Sequence, residues 1–219
     1  MVTNIVNTCN APGATCPSWE LDVNQTFFHL IFVITFVIFW GIRFYFQAKA
    51  HRGGGDYEFV EEDRSLTLRK LLGLPFLLLF LAFFIRPSIL AFAEIHLPLW
   101  AQWLGVALAI LAIPLIVWVQ WALDVNFNSS LHIREEHTMI SHGPYRWVRH
   151  PMYTVLLIHE LAILLLTRNL IIGGLLLGMQ LLVVALRLRH EEALMVETFG
   201  DEYRQYMQRT GRFLPRLFA

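Results

Sequence analysis

Charge is scarce in this sequence: of 219 residues only 16% are Asp, Glu, Lys or Arg, against roughly 25% in an ordinary soluble domain. Neither sign is in excess, since 17 Lys plus Arg meet 17 Asp plus Glu. A broad basic surface for nucleic acid is therefore not indicated. A P-loop, a Gly-x-Gly-x-x-Gly fingerprint and a Gly-x-Ser-x-Gly elbow are all missing. Cysteines number two, Cys9 and Cys16. His137, His142, His150 and His190 follow none of the usual zinc spacings, so no metal site is expected. What is abundant is apolar surface, with 56% hydrophobic residues and a mean hydropathy of +0.52. Such a chain is neither disordered nor an ordinary soluble domain.

The apolar residues fall in blocks: Phe27 to Phe46, Leu71 to Ile85 with a continuation toward Phe92, Pro98 to Leu123, Tyr153 to Thr167, and Leu170 to Leu186. A bilayer core of roughly 30 Å needs about 20 helical residues. The first and third blocks meet this directly. The last two are short and separated only by Arg168-Asn169, which reads as a helical hairpin over 153–186. The expected fold is thus all-α, with about five transmembrane helices and a cytoplasmic helical tail. Alternate connections carry two and thirteen Lys and Arg residues. By the positive-inside rule the richer set is cytoplasmic, which puts the N-terminus outside and the C-terminus inside. The expected location is the plasma (inner) membrane of a prokaryote. Three regions follow: an external segment 1–26, a three-helix membrane region 27–123, and a catalytic region 124–219.

Cys9 and Cys16 lie in the external segment, where a small disulfide loop and two free thiols are equally compatible with the sequence. Gly53-Gly54-Gly55 and the acids after it read as a flexible cytoplasmic linker. Gly174 and Gly178 form a small-xxx-small pair suited to close helix contact.

The stretch His137 to Tyr153 is polar, aromatic and cytoplasmic, and it leads directly into the fourth span. Pro151 suits the first turn of a helix, with His150 at its boundary. That arrangement leaves backbone N–H groups pointing at the membrane surface, a place for a carboxylate or other anion. Tyr145, Trp147 and Tyr153 either line a flat pocket or form an interfacial aromatic belt. Folding the chain about a turn near 168.5 brings Arg187 level with His150 and Tyr153. Glu191 follows Arg187 by four residues and so shares its helix face. An arginine snorkelling at a helix end and paired with Glu191 would explain Arg187 alone, but not the convergence of Tyr145, His150, Tyr153, Arg187 and Glu191 at one interface. Glu160 lies seven residues beyond Tyr153 on nearly the same face, about 10 Å deeper. Intramembrane ionisable groups are costly and often functional, so Glu160 is a candidate wall of an acceptor cavity, with His159 or Gln180 as partners.

Gly143-Pro-Tyr-Arg-Trp-Val-Arg-His-Pro-Met-Tyr153, followed by Glu191-Glu192 and Phe199-Gly-Asp-Glu-Tyr203, resembles the isoprenylcysteine carboxyl methyltransferase family. Membrane phospholipid N-methyltransferases share much of this pattern. The resemblance covers about residues 124–215. It implies an enzyme that uses S-adenosylmethionine at the cytoplasmic face. His137, Thr138, Met139 and Ile140 resemble the segment bordering that cofactor. Tyr145, His150, Pro151, Met152 and Tyr153 resemble its further contacts, and Glu191 matches a cofactor-binding glutamate. Arg187 matches an arginine beside the methyl acceptor. His132 stands near the place of a family glutamine, across a loop two residues shorter. Nothing in the sequence reads a protein CaaX tail, so the expected acceptor is a lipophilic small molecule or lipid entering from the bilayer. Membrane lipids are the only other partners expected, with no obligate protein partner. The alternatives are a phospholipid N-methyltransferase, a sterol-type reductase using a nicotinamide dinucleotide, and a non-catalytic scaffold or transporter subunit.

Overall fold

The computed structural model describes residues 18–52, 77–123 and 139–216, with side chains of the first helix described over 24–50. Every regular element among them is helical. Helix α1 spans Ser18–Arg52, α2 covers 77–85, α3 is Leu99–Leu123, α4 is Pro151–Thr167 and α5 is Leu175–Arg209. Short 3-10 turns occupy Pro87–Ala93 and Gly143–Arg146, and a π-helical turn over Leu170–Gly174 leads into α5.

Three stretches are long and apolar enough to cross a membrane: Asn24–Ala50, Leu99–Leu123 and Leu170–Arg209. The protein is an integral membrane protein with at least these three apolar spanning helices and a C-terminal helical region. Helix α4, with 17 residues, is about 25 Å long at 1.5 Å per residue, a little short of the bilayer core. Its sides are covered by protein, which a lipid-exposed span would not require. Outward-facing Leu30, Ile34, Trp103, Ile110, Leu182 and Leu186 remain exposed, as apolar side chains meant for acyl chains would be.

Helix α4 lies among α1, α3 and α5 and packs on each of them. One apolar cluster joins Phe28, Phe32, Phe80, Phe83, Val106 and Ile163. A second joins Phe39, Ile116, Val119, Val155 and Leu156 nearer the other end. Arg168 closes α4 in the left-handed region, at φ 48° and ψ 31°. Asn169 then starts the next helix: its side-chain oxygen accepts from Ile171 N and Ile172 N at 3.1 Å, and its Nδ2 donates to Leu90 O at 2.8 Å. Ionic contact between Arg168 and Glu94 ties the same turn to the segment preceding α3.

The tight contact between α4 and the following helix falls one residue away from the glycine pair that sequence spacing suggests. A Cβ on Gly178 would meet nothing within 4 Å, and one on Gly174 would touch only Leu170 at 3.5 Å. At Gly173, by contrast, a Cβ would lie 2.3 Å from Leu164 Cα and 2.7 Å from Leu164 N. The π-helical turn shifts the register and presents Gly173 to α4. Gly173→Ala is therefore expected to destabilise the fold by about 3 kcal/mol, the upper range for overpacking, whereas Gly178→Ala is expected to be neutral. Thermal unfolding of both variants in detergent checks this.

The cysteines and the glycine-rich linker lie outside the described residues.

Candidate functional site

The site forms where the first turn of α4 meets the middle of α5. Pro151 occupies the first helical position, where its missing N–H costs nothing. His150 precedes it and makes no side-chain cap. Thr154 N makes the first helical bond, to His150 O at 3.2 Å. Met152 and Tyr153 therefore carry N–H groups with no preceding helical acceptor.

On this turn the Tyr153 hydroxyl donates to Glu191 Oε1 at 2.5 Å. Arg187 Nε stands 3.6 Å from the same oxygen, an i,i+4 pair on α5. His150 Nδ1 lies 3.8 Å from Glu191 Oε2, too far for a hydrogen bond, while its Nε2 lies 3.4 Å from Glu192 Oε1. The His150 and Tyr153 rings stack at 5.8 Å. Burial pushes the His150 pKa below its ordinary value, an effect that the Glu191 and Glu192 charges oppose without reversing. The imidazole is thus neutral near pH 7. With Nε2 as donor to Glu192, Nδ1 and Glu191 Oε2 face each other as two acceptors, which suits an ammonium group between them.

Tyr145 comes from the 3-10 turn Gly143–Arg146, where Gly143 takes φ 58° and a Cβ would press on Ala122 of α3 at 3.1 Å. Its carbonyl accepts from the Tyr206 hydroxyl at 2.6 Å. Burial, with the Tyr206 and Glu191 charges behind it, raises the Tyr145 hydroxyl far above its ordinary range, so it stays protonated. Met152 lies beside Tyr153 and faces α1, with Arg43 Nη1 at 3.3 Å from its sulfur. Arg43 also stands over the Trp40 ring, 5.8 Å from its centroid.

The sequence-selected residues Tyr145, His150, Pro151, Met152, Tyr153, Arg187 and Glu191 thus sit together around one helix junction. Met139 and Ile140 are half-buried just ahead of it. Glu160 is buried deeper on α4, with its Oε1 3.7 Å from His159 Nδ1. His132, His137 and Thr138 lie outside the described residues. No group of three or more potential metal ligands occurs among the described residues.

Sequence reasoning missed a second carboxylate system directly behind the first. Glu192 is buried and receives Arg149 Nε at 3.1 Å, Arg212 Nη2 at 2.6 Å and Arg212 Nε at 3.2 Å. Arg149 also donates to the carbonyls of Met207 and Thr210, at 3.0 and 2.5 Å. Gly200, at φ 55° and ψ −125°, breaks α5 and swings its last turns back toward α4. The chain after Thr210 then crosses the start of α4 as a strap. Arg149 N donates to Gly211 O at 2.8 Å, His150 N to Arg212 O at 3.1 Å, and Thr154 Oγ1 to Phe213 O at 2.9 Å. The alternating basic residues 146, 149, 212 and 216 carry no periodic signal that would have revealed this clasp. Only the adjacency of Arg149 to the His-Pro-Met-Tyr run and of Glu192 to Glu191 hinted at it.

Burial alone would raise the Glu192 carboxyl, but the Arg212 and Arg149 hydrogen bonds and charges outweigh it and hold the group below the ordinary carboxylate range. A depressed folded-state value means the clasp contributes fully above the unfolded value, about pH 4, and is lost as pH falls through the folded value. Removing one partner of a buried pair strands the other charge, at a cost of about 3 kcal/mol. Glu192→Leu is expected to lower the melting temperature at neutral pH and to flatten the remaining decline in acid. Melting curves taken across acidic pH for both proteins check it.

Comparison with known proteins bears on the same stretch of chain. Residues 104–197 match the isoprenylcysteine carboxyl methyltransferase (ICMT) family. That stretch is homologous to ICMT. The ICMT-homologous residues include all of α4 and the part of α5 that carries Arg187, Glu191 and Glu192. An uncharacterized protein of Bacillus subtilis (strain 168), YpbQ, is 27% identical over 96 residues, which are 43% of this chain and 57% of YpbQ. A solved structure of the eukaryotic intramembrane Ras methyltransferase ICMT aligns at 21% identity with a TM-score of 0.48, over 72% of this chain and 54% of that one. The chain therefore spans little more than half the length of the relatives it matches.

Proposed function

We propose that this protein is an S-adenosylmethionine-dependent integral-membrane methyltransferase. Its acceptor is lipophilic: an isoprenylcysteine-like carboxylate, or a small lipid or thiol, reached from the bilayer at the cytoplasmic face. The observation that carries this reading is the meeting of Tyr153, Glu191 and Arg187 within the ICMT-homologous stretch. The full architecture that goes with it has five spans, the last two a hairpin over 153–186, with the N-terminus outside and the C-terminus in the cytoplasm. The external segment is 1–26, the three-helix region 27–123 and the catalytic region 124–219.

The residues present fit the cofactor. Glu191 Oε2 and His150 Nδ1 form an acceptor pair for its ammonium group. The Met152 and Tyr153 N–H groups, at an uncapped helix start, suit its carboxylate. Tyr145 and Tyr153 offer aromatic walls, while Met139, Ile140, Pro151 and the chain at His132, His137 and Thr138 would border it. When bound, S-adenosylmethionine supplies a methyl carbon on a sulfonium, whose carbon–sulfur bond breaks with its electrons returning to sulfur as the acceptor lone pair bonds the carbon. The chain's own part is alignment, exclusion of water and charge complementarity. Arg187, beside Glu191 at the membrane-facing side of the cluster, orients a carboxylate or other anionic head. Glu160 forms part of the acceptor cavity. A carboxylate or thiolate acceptor needs no strong general base.

Calorimetry on the detergent-solubilised protein tests the cofactor directly. S-adenosylmethionine is expected to bind at one site per chain and NADPH not to bind. Tight NADPH binding without S-adenosylmethionine binding would replace this reading with a reductase, and binding of neither would favour a scaffold.

A further inference from the structure

Helix α4 carries two side-chain rows that continue inward from the proposed site. Met152 and His159 form one row, seven residues apart and within 20° on a helical wheel. Met152 meets Arg43 of α1, and His159 stacks on Phe39 of α1 at 3.8 Å. Tyr153 and Glu160 form the second row, and Tyr153 meets Glu191 of α5. Glu160 therefore points toward the α5 side of α4. Two contacts fix the register between these helices: Leu164 with Gly173, and Tyr153 with Glu191. Interpolating between them brings Gln180 opposite Glu160. Gln180 is itself seven residues before Arg187, so it continues the Arg187 row inward just as Glu160 continues the Tyr153 row.

At this depth several polar atoms are buried without a hydrogen-bond partner. They are Glu160 Oε2, His159 Nδ1, Gln180 Nε2 and Trp40 Nε1. The Glu160 and His159 side chains are 5% and 2% exposed, and the Trp40 ring lies 6.5 Å from His159. Leaving such atoms unpaired in an apolar interior is costly, and apolar packing alone gives no reason to keep four of them at one level. The set combines amide and indole donors with a carboxyl oxygen. A group that both donates and accepts, such as a hydroxyl or an amide, would satisfy it.

We propose that His159, Glu160 and Gln180 form a polar subsite for the acceptor's tail, so that the acceptor carries a hydroxyl or amide about 10 Å from the methylated atom, the depth that seven helical residues span. This rests on the methyltransferase reading above and narrows its acceptor class: a plain isoprenoid or alkyl chain would leave these atoms unpaired. A site built to hydrogen-bond a substrate group discriminates strongly against the analogue that lacks it.

Two acceptors with the same thiol head and chain length supply the test, one with an unsubstituted chain and one with a hydroxyl about 10 Å from the head. Binding is read as the shift each causes in the melting temperature of the full-length protein in detergent, and turnover as kcat/KM with labelled S-adenosylmethionine. The wild type is expected to show the larger shift with the hydroxylated acceptor, and to prefer it by about tenfold in kcat/KM, one hydrogen bond's worth, carried in KM. Glu160→Leu is expected to erase the difference between the two acceptors, and Glu160→Gln to retain most of it. A merely structural role would instead weaken both acceptors alike. Equal shifts in the wild type, including no shift from either acceptor, overturn the subsite whether or not methyl is transferred. The methyltransferase reading fails separately, on absence of transfer to any acceptor.

Discussion

Glu191→Ala is expected to weaken S-adenosylmethionine binding by about a hundredfold or more, the loss associated with one or two hydrogen bonds to a charged group. Glu191 holds a position that no neighbour can take over. Glu192, the adjacent carboxylate, is turned 100° around α5 and is already committed to Arg149 and Arg212. Truncation also releases the Tyr153 hydroxyl and Arg187, which meet at Glu191 Oε1, so the ring and the guanidinium lose their shared anchor. Glu191→Gln keeps an oxygen for Tyr153 but loses the charge facing an ammonium, and is expected to fall between the two. Because Arg187 is partly exposed and the pair is not deep in the core, the fold is expected to survive. Unchanged melting temperature with lost binding, both measured on the same preparation, is the expected combination. Normal binding by Glu191→Ala would remove Glu191 from the cofactor site.

Arg187→Ala is expected to do the opposite: cofactor affinity stays within about twofold while kcat falls by about a thousandfold, as when a group that positions developing charge is removed. The distinction follows from where Arg187 lies. It stands 3.6 Å from Glu191 through Nε and its side chain is 38% exposed, so an acceptor's carboxylate can approach it. Bidentate pairing with a carboxylate is the geometry that a guanidinium supports and an ammonium does not. Arg187→Lys is accordingly expected to recover only a small part of the rate with a carboxylate acceptor. Single-turnover measurements with prebound labelled cofactor separate the two effects. Equal loss of cofactor affinity in Arg187→Ala would make the residue a support for Glu191 rather than a contact for the acceptor.

Much of the Tyr153–Glu191–Arg187 meeting could be read from sequence because each step is governed by a short-range rule. Pro151 fixes a helix start, four-residue spacing puts Arg187 and Glu191 on one face, and a short connection at Arg168-Asn169 sets which levels of α4 and α5 correspond. The structure adds a π-helical turn to that connection, which offsets the register, and the long Tyr153, Arg187 and Glu191 side chains still meet. Gly173 shows where the same offset matters. Contacts of a glycine tolerate no slack, so one residue of slip moves the close approach from Gly174 and Gly178 to Gly173.

The strap was not legible for a different reason. Arg149 and Glu192 are 43 residues apart, and Arg149 and Thr210 are 61 apart. No single helical period links Arg149 to Glu192 across the turn at Arg168-Asn169, or Arg149 to Thr210 beyond the break at Gly200. Sequence singled out Glu191, by its spacing from Arg187 and by the family resemblance, but could not assign Glu192 to the clasp. That assignment depends on how α5 is rotated against α4, which tertiary packing sets and local propensity does not. The span count faced a similar limit. Helix α4 is apolar yet only 17 residues long, and its burial among α1, α3 and α5 explains why it needs neither the length nor the uniformly apolar surface of a lipid-facing span.

The central claim is methyl transfer itself, and transfer of a labelled methyl group tests it most directly. The purified protein in lipid nanodiscs is incubated with methyl-labelled S-adenosylmethionine and, separately, prenylcysteines, aminophospholipids, lipophilic thiols and isoprenoid acids. The account predicts label in a carboxylate or thiol acceptor, abolished by Glu191→Ala and strongly reduced by Arg187→Ala. Label in aminophospholipids alone would contradict the acceptor class, and no transfer to any acceptor by a protein that binds the cofactor would contradict the claim.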